Sequence, residues 1–216
     1  MSIRPTPFVA GEIYHIYNRG NDKKIIFHDN QDYKRFIDLL YLSNTKINLR
    51  ISKISEDISI FDRGERLVNI GSYCLMPNHF HLILMQTENG SISKFMQKLT
   101  TAYSMYYNKK YKRTGSLFEG KFKAKYIKDD RYLKYLFSYV HLNPVKLIQK
   151  DWKEKGINNK SQALNFLEKY KNSSYLDYLG IPRNESIVLN REVFPNYFPS
   201  KDKFKTEIFE WLSYNK

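Results

Sequence analysis

The stretch YCLMPNHFHLILM, from Tyr73 to Met85, consists of two apolar runs hinged at Pro77 and Asn78. A proline followed by asparagine between runs rich in Leu, Ile, Tyr and Phe reads as strand, tight turn, strand in antiparallel pairing. The second strand starts at His79. Side chains alternate across a pleated strand, so His79, His81 and Ile83 share one face while Phe80, Leu82 and Leu84 share the other. Two imidazoles at the mouth of one strand can offer nitrogen lone pairs to a single cation, which a histidine at the next position could not do. An ordinary pair of half-exposed strand histidines has the same pattern, so the spacing acquires meaning only with a third ligand and a group for the metal to serve.

Working outward, Glu12 to Arg19 (EIYHIYNR) reads as a first strand, apolar on both faces and ended by Gly20-Asn21-Asp22. His15 lies in it and reads as a packed, hydrogen-bonded histidine. Asp29, Asn30 and Asp32 offer N-cap chemistry to a helix carrying Tyr33, Phe36, Ile37, Leu40 and Tyr41 at spacings of three and four. Thr45 to Arg66 reads as an insertion, with two short strands expected around Asp62-Arg63-Gly64-Glu65. Leu67 to Leu75 leads into the Pro77 hinge. After Asn89-Gly90, Ser91 or Ser93 can cap a long helix with Ile92, Phe95, Met96, Leu99, Ala102, Tyr103 and Tyr106 on its core stripe. Leu117 to Ile127 returns to period two, with Lys121, Lys123 and Lys125 expected on one face. Asp129 and Asp130 cap a last helix, Arg131 to about Leu142, which ends before Pro144. The order βαββαβ predicts an α+β, ferredoxin-like antiparallel sheet with helices on one face. A domain over 1–150 would then be followed by an extension over 151–216 packed on it, with helices expected at Gln162 to Tyr170 and Lys203 to Tyr214.

The chain has 216 residues, enough for one sizeable core, and carries 36 Lys and Arg against 22 Asp and Glu, a net charge of +14. Eighteen Tyr, 14 Phe and 2 Trp accompany that charge, and basic plus aromatic suggests nucleic acid. Lys109 to Lys128 holds eight basic residues against one acidic, which is half the net charge in twenty positions. Arg113 and the three alternating lysines are therefore the candidate nucleic-acid contacts; a lysine strand edge that only discourages edge pairing has the same appearance. The single Cys74 cannot form an internal disulfide and sits in an apolar run, consistent with a reducing compartment. No run approaches the roughly 18 apolar residues that span a bilayer, and MSIRPTPFVAGEIY lacks a signal-peptide core, so a soluble, cytoplasmic protein is expected.

On the last helix Tyr139 and Asn143 are four apart and project from the same side. A nucleophile and a ligand could share that edge, as could an ordinary tyrosine and helix end. Tyr132 and Tyr135 are the neighbouring phenols, but four residues beyond them stand Leu136 and Tyr139, so only Tyr139 is followed by a carboxamide.

CLMPNHFHLIL, RTGSLFEGKFKAKYI and YLFSYVHLNPVK, in that order, resemble the HUH-type single-tyrosine transposases, most of all their REP-associated branch. There the His-hydrophobic-His motif is followed by a helix bearing Tyr-x-x-x-Asn or Tyr-x-x-x-Gln. The resemblance covers about Gly11 to Lys146, and SSYLDYLG at Ser173 to Gly180 echoes the family's C-terminal end. The insertion at Thr45 to Arg66 and the tail after Ser174 depart from it. The resemblance implies that His79 and His81 are metal ligands, that Asn143 is the third, and that Tyr139 is the nucleophile. It implies Mg²⁺ or Mn²⁺, although two imidazoles and an amide suit softer divalent ions better than Mg²⁺. The implied partner is single-stranded DNA with hairpin or palindromic elements, cleaved and rejoined through a covalent 5′-phosphotyrosine by a monomer or homodimer. The alternatives are a nuclease in which water attacks, and a non-catalytic nucleic-acid-binding protein on the same fold.

Overall fold

The computed structural model describes residues 7–50, 54, 57–58 and 60–210. Four strands form one antiparallel sheet: β1 (Ile13–Arg19), β2 (Val68–Met76), β3 (His79–Gln86) and β4 (Lys123–Tyr126), in the spatial order β2-β3-β1-β4. The helices between them are α1 (Asn30–Leu42) and α2 (Ser91–Lys110), and α3 (Asp130–Leu142) follows β4. This is the ferredoxin-like α+β plan that the sequence predicts, with α1 and α2 together on one face.

The alternation within each strand decides what each face meets. Tyr14, Ile16, Tyr73, Phe80, Leu82 and Leu84 pack against Phe36, Leu40, Phe95, Leu99 and Tyr103 of α1 and α2. On the opposite face Cys74, Met76 and Ile83 meet Leu133, Leu136, Phe137 and Val140 of α3. Both faces are thus buried, which explains why the runs flanking Pro77 are almost wholly apolar. At Gly71 the β2–β3 register shifts, and an added Cβ would lie 3.0 Å from the Phe194 ring and 3.1 Å from Phe137. A side chain there would push the second layer off the sheet.

Beyond α3 the chain continues through α4 (Trp152–Lys155), α5 (Lys160–Lys169), α6 (Tyr175–Tyr178) and α7 (Lys201–Glu210). Trp152, Ala163, Leu167, Tyr175 and Phe204 join the same cluster as α3. The free edge of β2 is met by residues 172–174: Leu75 N donates to Asn172 O at 2.9 Å and Ser174 N to Tyr73 O at 2.9 Å. Arg183 bonds the Asp177 carboxylate, Ser173 O and the Tyr73 hydroxyl, which ties this segment to the sheet. Among the described residues no helix is long and apolar enough to cross a membrane.

Three local expectations change. The region before β2 contains no hairpin among its described residues; Asn44 Oδ1 instead accepts from Leu67 N and Val68 N, and Thr45 Oγ1 donates to Arg63 O. Side chains there take the place of a strand ladder. The long helix is preceded by Gly90 in the left-handed region (φ 82°), with neither serine capping it through its side chain. The lysine strand is confined to Lys123–Tyr126, because Gly120 (φ 64°) turns the chain after Phe118 has paired with Gly20. The last helix runs over Lys201–Glu210; its expected end, to Tyr214, lies outside the described residues.

Candidate active site

The turn that launches β3 is fixed from outside. Pro77 O accepts from Ile26 N at 2.8 Å and Phe27 N at 3.1 Å, Asn78 O accepts from Gly20 N at 2.8 Å, and Asn78 Nδ2 donates to Lys23 O at 3.0 Å. A loop that grips both sides of the hinge sets where the strand begins, and hence which face His79 and His81 take. In the β1–β3 register His81 stands opposite Tyr17 and His79 opposite Arg19. Both histidines lie on the face covered by α3, and their ring centroids are 5.1 Å apart.

Across from them α3 presents Tyr139. Its ring centroid is 5.6 Å from His81 and 6.3 Å from His15, with Trp152 of α4 behind it at 6.2 Å. Asn143 terminates the helix and is 3% exposed. Its Oδ1 is buried without a hydrogen-bond partner among the described residues, an arrangement that costs about 1–3 kcal/mol unless something else binds the oxygen. The rival tyrosines are occupied or remote from the histidines. Tyr132 accepts from Lys125 Nζ at 2.8 Å, and Tyr135 is buried against Tyr139. On the other face of the sheet, Tyr103 donates to Ile26 O and Tyr106 to Asp32.

The nitrogen atoms sort themselves. His81 Nδ1 is 2.9 Å from His15 Nε2, and His79 Nδ1 is 2.6 Å from Asn78 Oδ1. Each histidine therefore uses Nδ1 within the protein, leaving Nε2 as the nitrogen for a ligand, an arrangement that fixes ring orientation and tautomer. His15, read from sequence as a packed histidine, is the partner that orients His81. Its place was implicit in the shared face of neighbouring strands, but a register between strands cannot be read from one chain segment alone.

Burial decides the charge states. It pushes His15 down to about 4, assisted by Lys125. It pushes His79 down to about 4 as well, with Lys146 adding to the effect and the Asn143 amide opposing it. His81 is held well below the usual histidine range, by burial first and then by His15, His79 and two lysines. All three imidazoles are neutral at pH 7, the state in which a ring nitrogen can bind a cation. Burial also raises the Tyr139 phenol, again opposed by the Asn143 amide, so it is protonated at rest. Among the described residues no three His, Cys, Asp or Glu side chains converge on one point. A cation here would rest on two imidazoles and the Asn143 oxygen, and the unpartnered Oδ1 fits that role.

The basic residues expected to act together are divided. Lys123 faces the same cleft as His79, His81 and Tyr139, a recess of about 1090 Å³. Lys125 lies on that face but is held over the Tyr132 ring at 4.3 Å. Lys121 lies before the strand, in a separate groove with Asn18 and α2. Arg113 lies past α2, 5.5 Å over the Tyr107 ring. Gly120 is the cause of the split, since it breaks the period that the sequence suggested. Five residues at the site had no sequence signal distinguishing them: Lys146, Lys150, Trp152, Lys153 and Glu154.

Comparison with known proteins bears on this geometry. No curated protein sequence matches the chain. Among solved structures, one of a REP-associated tyrosine transposase bound to a REP hairpin is 11% identical, with 86% of this chain and 90% of that one covered and a TM-score of 0.49. Residues 42–143, the stretch that holds His79, His81, Tyr139 and Asn143, match the family model described as IS200-like transposase.

Proposed function

We propose that this protein is a transposase that cleaves and rejoins single-stranded, hairpin-containing DNA by using Tyr139 as a nucleophile. The observation that carries the reading is the convergence of a phenol, two neutral imidazoles that use Nδ1 within the protein, and a buried carboxamide oxygen without a partner among the described residues. A nuclease in which water attacks would not account for a phenol placed edge-on against the His81 ring.

Tyr139 Oη would attack a backbone phosphorus, forming the Tyr–O–P bond while the P–O3′ bond breaks. The phenol proton is lost to solvent and the departing 3′ oxygen takes one up. The strand is left as a 5′-phosphotyrosine beside a free 3′-hydroxyl, and because the phosphodiester energy is retained another 3′-hydroxyl can reverse the step. His79, His81 and Asn143 would hold one divalent ion, Mg²⁺ or Mn²⁺, which supplies charge at the phosphate and favours the phenolate. Trp152 and Tyr135 hold the phenol ring from two sides, and His15 fixes the His81 ring. Lys123 would contact the backbone in the open cleft; Lys121, Lys125 and Arg113, which lie outside it, would contact other parts of the strand.

The test is incubation with folded single-stranded DNA hairpins and Mn²⁺, followed by a denaturing gel and mass spectrometry. A nucleotide on Tyr139, lost in Tyr139→Phe while DNA binding persists, supports the reading. A nucleotide on another tyrosine, or an adduct persisting in the variant, overturns it.

A further inference from the structure

Past Asn143 the chain makes a short turn, Asn143–Leu147, and enters α4, and Lys146 in the turn, Lys150 after it and Lys153 on α4 come back to the site. Two recesses meet at His79 and Tyr139. One is the open cleft that contains Lys123. The other, of about 60 Å³, is backed by Trp152 and lined by Lys146, Lys150, Lys153 and Glu154. Lys146 and Lys150 border both, and Lys153 Nζ sits 5.1 Å from the centre of the Tyr139 ring.

None of these three lysines makes a hydrogen bond or ion pair among the described residues, although Arg19 pairs with Glu119 and Lys155 with Asp151 close by. Lys146 and Lys153 also lie near enough to disfavour a charge on His81. Three lysines against the single carboxylate of Glu154 at a narrow recess with one apolar wall leave a net positive field that favours an anion. The recess is small, and Trp152 is 3% exposed and packed on Tyr139. No aromatic face is therefore free there for a base to stack on. What the recess can receive is a phosphate.

We propose that Lys146, Lys150 and Lys153 seat one backbone phosphate of the single strand, adjacent to the phosphodiester that Tyr139 attacks. The identity of the strand rests on the function proposed above; the seat itself is built by residues that follow the 42–143 match. Its effect would be to fix which phosphodiester lies in front of the phenol.

The test is the salt dependence of binding to a fluorescent oligothymidylate strand. Wild type is compared with Lys146→Gln/Lys150→Gln/Lys153→Gln and with a charge-matched control, Lys94→Gln/Lys171→Gln/Lys203→Gln. The slope of log affinity against log salt should fall by about 0.7 for each phosphate that the first variant no longer neutralises, and remain unchanged in the control. Replacing one backbone phosphate at a time with a neutral methylphosphonate should then weaken wild-type binding at one position and leave the lysine variant indifferent there. An unaltered slope, or an equal fall in the control, overturns the seat. So does a thermal upshift by inorganic phosphate that the lysine variant loses while its strand slope is unchanged, which would assign the recess to free phosphate. All three lysines are exposed; should the triple variant not fold, Lys150→Gln alone gives the same comparison. An adduct on Tyr139 with an unchanged slope sinks this inference alone, whereas a reduced slope without any adduct sinks the nucleophile assignment and leaves the seat as a strand-binding site.

Discussion

Acid should destabilise the fold through the buried His15. His15 is 6% exposed, bonded to His81, and pushed by burial from the ordinary 6.5 down to about 4. Between those values the unfolded chain binds a proton at this position that the folded chain refuses, so stability rises with pH across the window and falls as pH drops through it. From pH 7 to pH 4 the loss attributable to His15 is about 3 kcal/mol, since each pKa unit corresponds to about 1.4 kcal/mol. That is a large share of a domain stability of about 5–15 kcal/mol. The measurement is urea unfolding at pH 7, 6, 5 and 4 for wild type and His15→Gln, whose amide can still meet His81 Nδ1. Wild type should lose about 3 kcal/mol more than the variant over that range, most of it below pH 6.5. Parallel pH profiles for the two proteins would refute the placement of His15 as a buried neutral partner.

Asn143→Leu removes a buried oxygen that has no hydrogen-bond partner among the described residues, so urea unfolding should show stability unchanged or raised by about 1 kcal/mol, while adduct formation with DNA is lost; a clear destabilisation would mean the amide is structural. Arg183→Met leaves the Asp177 carboxylate, whose side chain is 3% exposed, without its cation, and should cost about 3 kcal/mol. Adding Asp177→Leu should recover part of that loss, and no recovery would speak against an ion-pair cause. Gly20→Ala would place a Cβ 2.2 Å from Lys24 O and 2.8 Å from Ile26 Cγ2, next to the loop that grips the Pro77 hinge. Thermal unfolding should show a loss of about 3 kcal/mol, and a neutral substitution would contradict the packing described. Chelation of divalent ions should abolish adduct formation without unfolding the chain, as judged by circular dichroism.

The strand pair around Pro77 and the helices α1, α2 and α3 were legible because each has a single dominant period and a strong boundary. Asp29 accepts from Asp32 N at the start of α1, Asp129 accepts from Arg131 N at the start of α3, and Pro144 follows its end. The fourth strand was overextended for a physical reason. Alternating lysines mimic a strand whichever way the backbone turns, and what ends the pattern is the left-handed conformation of Gly120, a property of one residue's φ and not of any period. The region before β2 misled differently. Asn44 and Thr45 satisfy backbone groups with side chains, and a turn signal at Asp62-Arg63-Gly64 says nothing about whether strands flank it.

At the site, the pattern that sequence can show is the one confined to a single element. His79 and His81 share a strand face, and Tyr139 and Asn143 share a helix edge, so each pair follows from one geometry. Their mutual approach depends on α3 crossing the second face of the sheet, and His15 enters only through the β1–β3 register. Lys146, Lys150 and Lys153 depend on still more, because the chain must first turn at Asn143–Leu147 and then run back past Tyr139 with Trp152 buried against it. Exposed lysines carry no period, so nothing in their spacing separates them from solubilising charge. Only the fold distinguishes the two, by leaving these three without an ion pair among the described residues, beside a phenol, while Lys155 on α4 is paired with Asp151.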